Sequence, residues 1–69
     1  MTIDRDLMKN TALGLMRANG YTTPRDVAST MGEDEDEIAE MIARVARDEG
    51  WIERRYTQFI TYSLKDGEG

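Results

Sequence analysis

A change of hydrophobic period at Gly50 decides what this sequence can become. Before it, Ile38, Met41, Ile42 and Val45 stand at i, i+3, i+4 and i+7, the spacing that gathers apolar side chains on one face of an α-helix. After it, Trp51, Ile52, Tyr56, Phe59, Ile60, Thr61 and Tyr62 are β-branched or aromatic, types that suit a pleated surface. The spacing predicts a helix from about Glu33 or Asp34 to Glu49, closed by Gly50, with Trp51 folding back on its last turn. Strands are expected at about 51–55 and 59–64, joined by a tight turn through Tyr56, Thr57 and Gln58. Trp51, Phe59 and Tyr62 are expected in the core, because large aromatic rings gain most by burial.

Two further helices are expected upstream. The first runs from about Asp4 to Ala18, capped by Thr2 or Asp4 and ended by Gly20. Its apolar residues, Leu7, Met8, Ala12, Leu13, Leu15 and Met16, cover more than one stripe. Some of them must face something besides the domain's own core. Leu7, Leu13 and Leu15 are therefore a candidate homodimer face, with packing against the N-terminal arm and the hairpin as the alternative. The second helix is short, about Pro24 to Thr30. Thr23 suits its N-cap, Pro24 its first position, and Asp26 the third position of a capping box. Val27, Ala28 and Met31 give it a small buried face, and Tyr21-Thr22 before it reads as a short extended segment. A chain of 69 residues supports one modest core, so a single domain over 1–64 is expected, with a disordered polar tail at 65–69.

Helix, short helix, helix and hairpin, in that order, spell an α+β fold: a winged helix-turn-helix of three helices plus a two-stranded β-hairpin wing. Particular residues strengthen this. The stretch ARDEGWIERRYTQFITYSL resembles the end of the third helix and the wing of small ArsR/MarR-type transcription regulators. The matching positions are Glu49-Gly50-Trp51-Ile52, then Arg54-Arg55, then Tyr62-Ser63-Leu64. TTPRDVASTMGEDEDEIAEMIARV is similar, without gaps, to the family's helix-turn-helix, with Ala28 as the small residue and Gly32 as the turn glycine. The resemblance spans residues 8 to 64 and implies the fold far more than the function.

At one place the sequence departs from that family. There the third helix enters the DNA major groove, and its reading positions usually carry Ser, Thr, Gln, Asn, Arg or Lys. The corresponding positions here are Glu35, Asp36, Glu37, Ala39 and Glu40. Residues 33–50 hold eight acids and two bases, a net of −6, within a chain of 14 acids and 9 bases whose total is −5. Duplex DNA is held chiefly by Lys and Arg neutralising phosphates. Five consecutive acids, Glu33, Asp34, Glu35, Asp36 and Glu37, would face those phosphates with like charge. One carboxylate can accept from a cytosine amino group, but five in a row cannot.

Two explanations of the acids stand side by side. Acids at a helix N-terminus complement its dipole, each worth about 0.3–1 kcal/mol, and Glu40 with Arg44 is a well-oriented i,i+4 pair. That describes a solvated face. Yet Asp36–Glu40 and Glu33–Glu37 are like-charge i,i+4 pairs, and two or three acids already satisfy the dipole. The other explanation is a binding face formed by Glu33, Asp34, Glu35, Asp36, Glu37 and Glu40. Carboxylates four apart on a helix lie about 6 Å apart along its axis, near the spacing of phosphates on one strand.

What is absent narrows the chemistry. The chain has no Cys and no His, which removes thiol nucleophiles, imidazole acid–base catalysis, disulfides and ordinary zinc sites. No D-x-D-x-D-G calcium pattern occurs. A non-enzymatic protein with no catalytic residue, metal or cofactor is expected. No segment approaches a membrane span or a signal peptide, so no membrane association and a cytoplasmic location are expected. In size, charge and fold the chain is similar to phage-encoded inhibitors of restriction, CRISPR or polymerase machinery. The expected function is that of a DNA-mimic-like inhibitor whose acidic helix binds a basic surface of a nucleic-acid-binding protein. The alternatives are a transcription regulator that binds duplex DNA through its helix-turn-helix and wing, with Arg54 and Arg55 on phosphate, and a protein–protein assembly module. For Arg54 and Arg55 the plainer role is to keep an exposed strand edge from pairing.

Overall fold

Three short polar side chains set the helix starts in the computed structural model, which describes residues 3–65. Asp4 accepts from the Leu7 N–H at 3.2 Å and opens α1 (Arg5–Asn19). Thr23 accepts from the Asp26 N–H at 3.1 Å and opens α2 (Pro24–Met31). Asp34 accepts from the Glu37 N–H at 3.1 Å and opens α3 (Glu35–Glu49). Each carboxylate or hydroxyl satisfies a first-turn N–H that has no partner inside its own helix. The third helix therefore begins one or two residues later than the sequence implies, because Asp34 serves as the cap.

Gly50 ends α3 at φ +77°, a left-handed conformation that residues with a Cβ rarely adopt. This turn brings the N–H groups of both Gly50 and Trp51 to the carbonyl of Ala46. The chain then leaves directly into β1 (Ile52–Arg55), which pairs antiparallel with β2 (Ile60–Ser63). The register sets Glu53 opposite Tyr62 and Arg54 opposite Thr61. Tyr56 donates its N–H to the Phe59 carbonyl at 2.8 Å, which closes the tip around Thr57 and Gln58.

The extended segment before α2 has a definite role. Thr22, fully buried, exchanges two backbone hydrogen bonds of 2.8 Å with Tyr62. β2 is thus paired on both sides, by β1 and by Thr22, which ties the hairpin to the helices. Three helices and an antiparallel hairpin make an α+β layout consistent with a helix-turn-helix followed by a wing.

The core lies where α2 and α3 meet under α1 and β2. Met8, Ala12, Val27, Ile38, Ile42 and Val45 are fully buried, with Tyr62 supplied from the hairpin. Trp51 packs partly buried against this cluster, together with Leu13, Leu15, Ile60 and Leu64. Phe59 does not join it. Its side chain is 53% exposed, so the expectation of a buried Phe59 is corrected. The reason is parity: Tyr62 faces inward, and a residue three positions away on a regular hairpin faces outward.

Two ion pairs, Arg5–Asp48 and Lys9–Glu49, fasten α1 to the last turns of α3. Both are solvent-exposed, so each contributes at most about 1 kcal/mol. Among the described residues no helix is long and apolar enough to cross a membrane. Lys65 is exposed, and the rest of the expected tail, 66–69, lies outside the described residues.

Candidate functional site

The acids of α3 divide into two groups with different surroundings. Asp48 and Glu49, at its end, are neutralised by Arg5 and Lys9. Glu33, Asp34, Glu35, Asp36, Glu37 and Glu40, at its start, are all exposed, and none forms an ion pair within 4.0 Å among the described residues. Asp34 is committed to its cap. The expected Glu40–Arg44 pair is not formed, so that stabilising contact falls away and Glu40 keeps its charge free. The unneutralised charge of α3 therefore concentrates in its first turns.

These acids do not share one wall. With about 100° per residue, Asp36 and Glu40 lie on the outermost ridge of α3, opposite the buried Ile38, Ile42 and Val45. Glu37 and Glu40 border a shallow groove of about 420 Å³ beside Ile3, Arg5, Met41 and Arg44. Glu35 and Asp36 border a second groove of about 570 Å³ on the other flank, between α3 and the hairpin. Ala39, Arg25, Arg55, Tyr56 and Phe59 complete that second groove. The acids thus wrap around the leading end of the helix and reach two neighbouring surfaces. No three of the described carboxylates converge so as to hold a metal ion.

Arg54 and Arg55 are separated by the pleat. Consecutive strand residues point to opposite faces. Arg55 reaches the groove beside α3, and its Nε donates to Glu53 Oε2 at 2.8 Å. Arg54 lies on the other face, beside Tyr21, Phe59 and Thr61, and forms no ion pair among the described residues. The two guanidinium groups therefore do not form one phosphate clamp.

Glu53 has a structural task as well. Its Oε1 accepts from the Tyr62 hydroxyl at 3.2 Å, directly across the strand pair. Burial pushes the Tyr62 phenol up to about 12, and the charge and hydrogen bond of Glu53 add to the rise, while Arg55 opposes it.

Of the three leucines proposed for a dimer face, Leu13 and Leu15 pack partly buried against the core, and Leu7 alone is largely exposed, at 54%. The sequence reading missed a different apolar surface. Tyr21, Ile52, Tyr56 and Phe59 are exposed, and three of them surround Arg54 on the outer side of the hairpin. The rings of Tyr56 and Phe59 meet at a tilt of 41°, with centroids 4.9 Å apart. The period-two pattern was the available signal, since Phe59 and Tyr62 cannot both face inward.

No protein-family model matches the chain, and no curated protein or solved structure resembles it closely enough to count as a match.

Proposed function

We propose that this protein is a non-enzymatic binding module of winged-helix form, whose acidic third helix engages a basic surface on a nucleic-acid-binding protein. In doing so it competes with nucleic acid for that surface, as a DNA-mimic inhibitor of the phage type would. The observation that carries this reading is the unequal treatment of the acids on α3. Those at its end are neutralised by α1, and those at its start are exposed and unpaired. Acids needed only for the helix dipole would call for two or three charges, and here five, Glu33 to Glu37, stand in a row, with Glu40 one turn further on. The regulator reading is weaker, because a helix presenting these charges meets phosphates with the wrong sign and Arg54 and Arg55 diverge.

The test is charge reversal on the outer ridge, with Asp36→Arg and Glu40→Arg. Reversing a charge across an interface costs several kcal/mol, whereas an exposed substitution changes folding stability by less than about 0.5 kcal/mol. Partner capture from host lysate should be lost in these variants and weakened by salt in the wild type. Asp6→Arg, an exposed acid on α1, is the control; Glu53 is unsuitable because it holds Tyr62. If the reversals leave capture and its salt dependence unchanged, the acids only cap and solubilise the helix.

A further inference from the structure

Charged residues at the rim of an interface chiefly set association rate and selectivity; affinity comes from a few buried anchors, often aromatic. The acidic turn of α3 needs such an anchor if it is to hold a partner. Among the described residues, the only large apolar side chains bordering the groove beside Glu35 and Asp36 that are also exposed are Tyr56 and Phe59, at 52% and 53%. Neither ring is used by the core. Both belong to the tip of the hairpin, where a short polar turn would have closed the strands equally well.

We infer that the contacting Tyr56–Phe59 pair is the apolar anchor of the same binding face, inserted into a hydrophobic depression on a partner that presents basic side chains to Glu35, Asp36 and Glu40. The inference rests on the reading of α3 given above and adds where the affinity resides. Three observations support it. The two rings already lean on each other and the backbone beneath them is held by the Tyr56–Phe59 hydrogen bond, so little freedom is lost on docking. The tip and the acidic turn face each other across one groove, so a partner covering one meets the other. The unpaired acids of α3 call for a cationic partner. Arg25 and Arg55 lie in the groove between the two, and Arg55 is held by Glu53. A fitting partner therefore alternates: cations over α3, neutral or acidic groups over the arginines, and an apolar side chain at the tip.

The experiment follows backbone amide signals of isotopically labelled protein during titration with two probes: a short peptide of alternating Arg and Leu, and a matched peptide of alternating Arg and Ser. The expected result is that both perturb Glu35, Asp36 and Glu40, but only the Arg–Leu peptide perturbs Tyr56 and Phe59 and binds about tenfold tighter. Phe59→Ala should abolish that difference and leave the salt-dependent binding of both peptides intact; unchanged Thr22 and Tyr62 signals certify the fold. If the two peptides bind alike, or Phe59→Ala leaves the Arg–Leu preference in place, the anchor is refuted while the acidic face stands. If neither peptide perturbs α3, the reading of the acidic face fails, and the anchor with it.

Discussion

Tyr62 should make this protein sensitive to alkali in a way that one methodical substitution can isolate. Its ring is 1% exposed, and its hydroxyl donates to Glu53 at 3.2 Å. Burial first, and then Glu53, hold the phenol neutral up to about 12 in the folded state, against an ordinary value of 10.0. Between these values the unfolded chain has released the proton and the folded chain has kept it, so stability falls as pH rises. The contribution is intact below the ordinary value and is lost at up to about 1.4 kcal/mol per pH unit on the way to the raised one. At about pH 11 the loss should reach roughly 1.4 kcal/mol, a large share for a domain whose total is on the order of 5 kcal/mol. Tyr62→Phe keeps the buried ring and removes the titration. At pH 8 it should cost about 0.5–1.5 kcal/mol, the worth of one hydrogen bond whose acceptor remains hydrated. Urea unfolding followed by Trp51 fluorescence and circular dichroism, at about pH 8 and pH 11, measures both proteins. The wild type should be the more stable at the lower pH, and its advantage should vanish or reverse at the higher one. An advantage that stays constant across the range would refute the reasoning. Glu53→Gln should narrow the alkaline window without closing it, because burial remains.

The other expectations concern the helices. Asp34→Ala removes the cap on α3 and should cost about 1 kcal/mol in urea unfolding, whereas Glu33→Ala beside it should cost less than about 0.5 kcal/mol. Gly14 sits inside α1 with nothing within 4 Å of where a Cβ would be, so Gly14→Ala should raise stability by about 0.5–1 kcal/mol in the same assay. If α1 pairs two chains through Leu7, sedimentation should show a dimer that Leu7→Lys converts to a folded monomer; a monomeric wild type would remove that proposal.

The elements were legible because their signals are local. Asp4, Thr23 and Asp34 act within three residues of themselves, and Gly50 closes α3 at the place where the period changes. Tyr62 was legible as core by its type. What sequence spacing could not show is how distant segments meet. Arg5 and Asp48 are 43 positions apart, and their pairing, with that of Lys9 and Glu49, separates the neutralised acids of α3 from the free ones. The Thr22–Tyr62 bridge is equally non-local. Glu40–Arg44 was expected from i,i+4 spacing and is not formed, because a pair worth only about 0.2–0.5 kcal/mol does not fix two long exposed side chains. That Glu33 to Glu37 and Glu40 are exposed was legible from the helix wheel, but their division between two grooves depends on where α1 and the hairpin lie.

If α3 presents its charge to a basic protein surface, as proposed, it should not read DNA. Anisotropy of labelled duplexes of varied sequence, titrated with the protein at physiological salt, tests it most directly. The expected result is no binding tighter than the non-specific range of about 10⁻⁴–10⁻⁶ M, and no dependence on sequence. Sequence-dependent binding below the micromolar range would contradict it and place the protein among DNA readers.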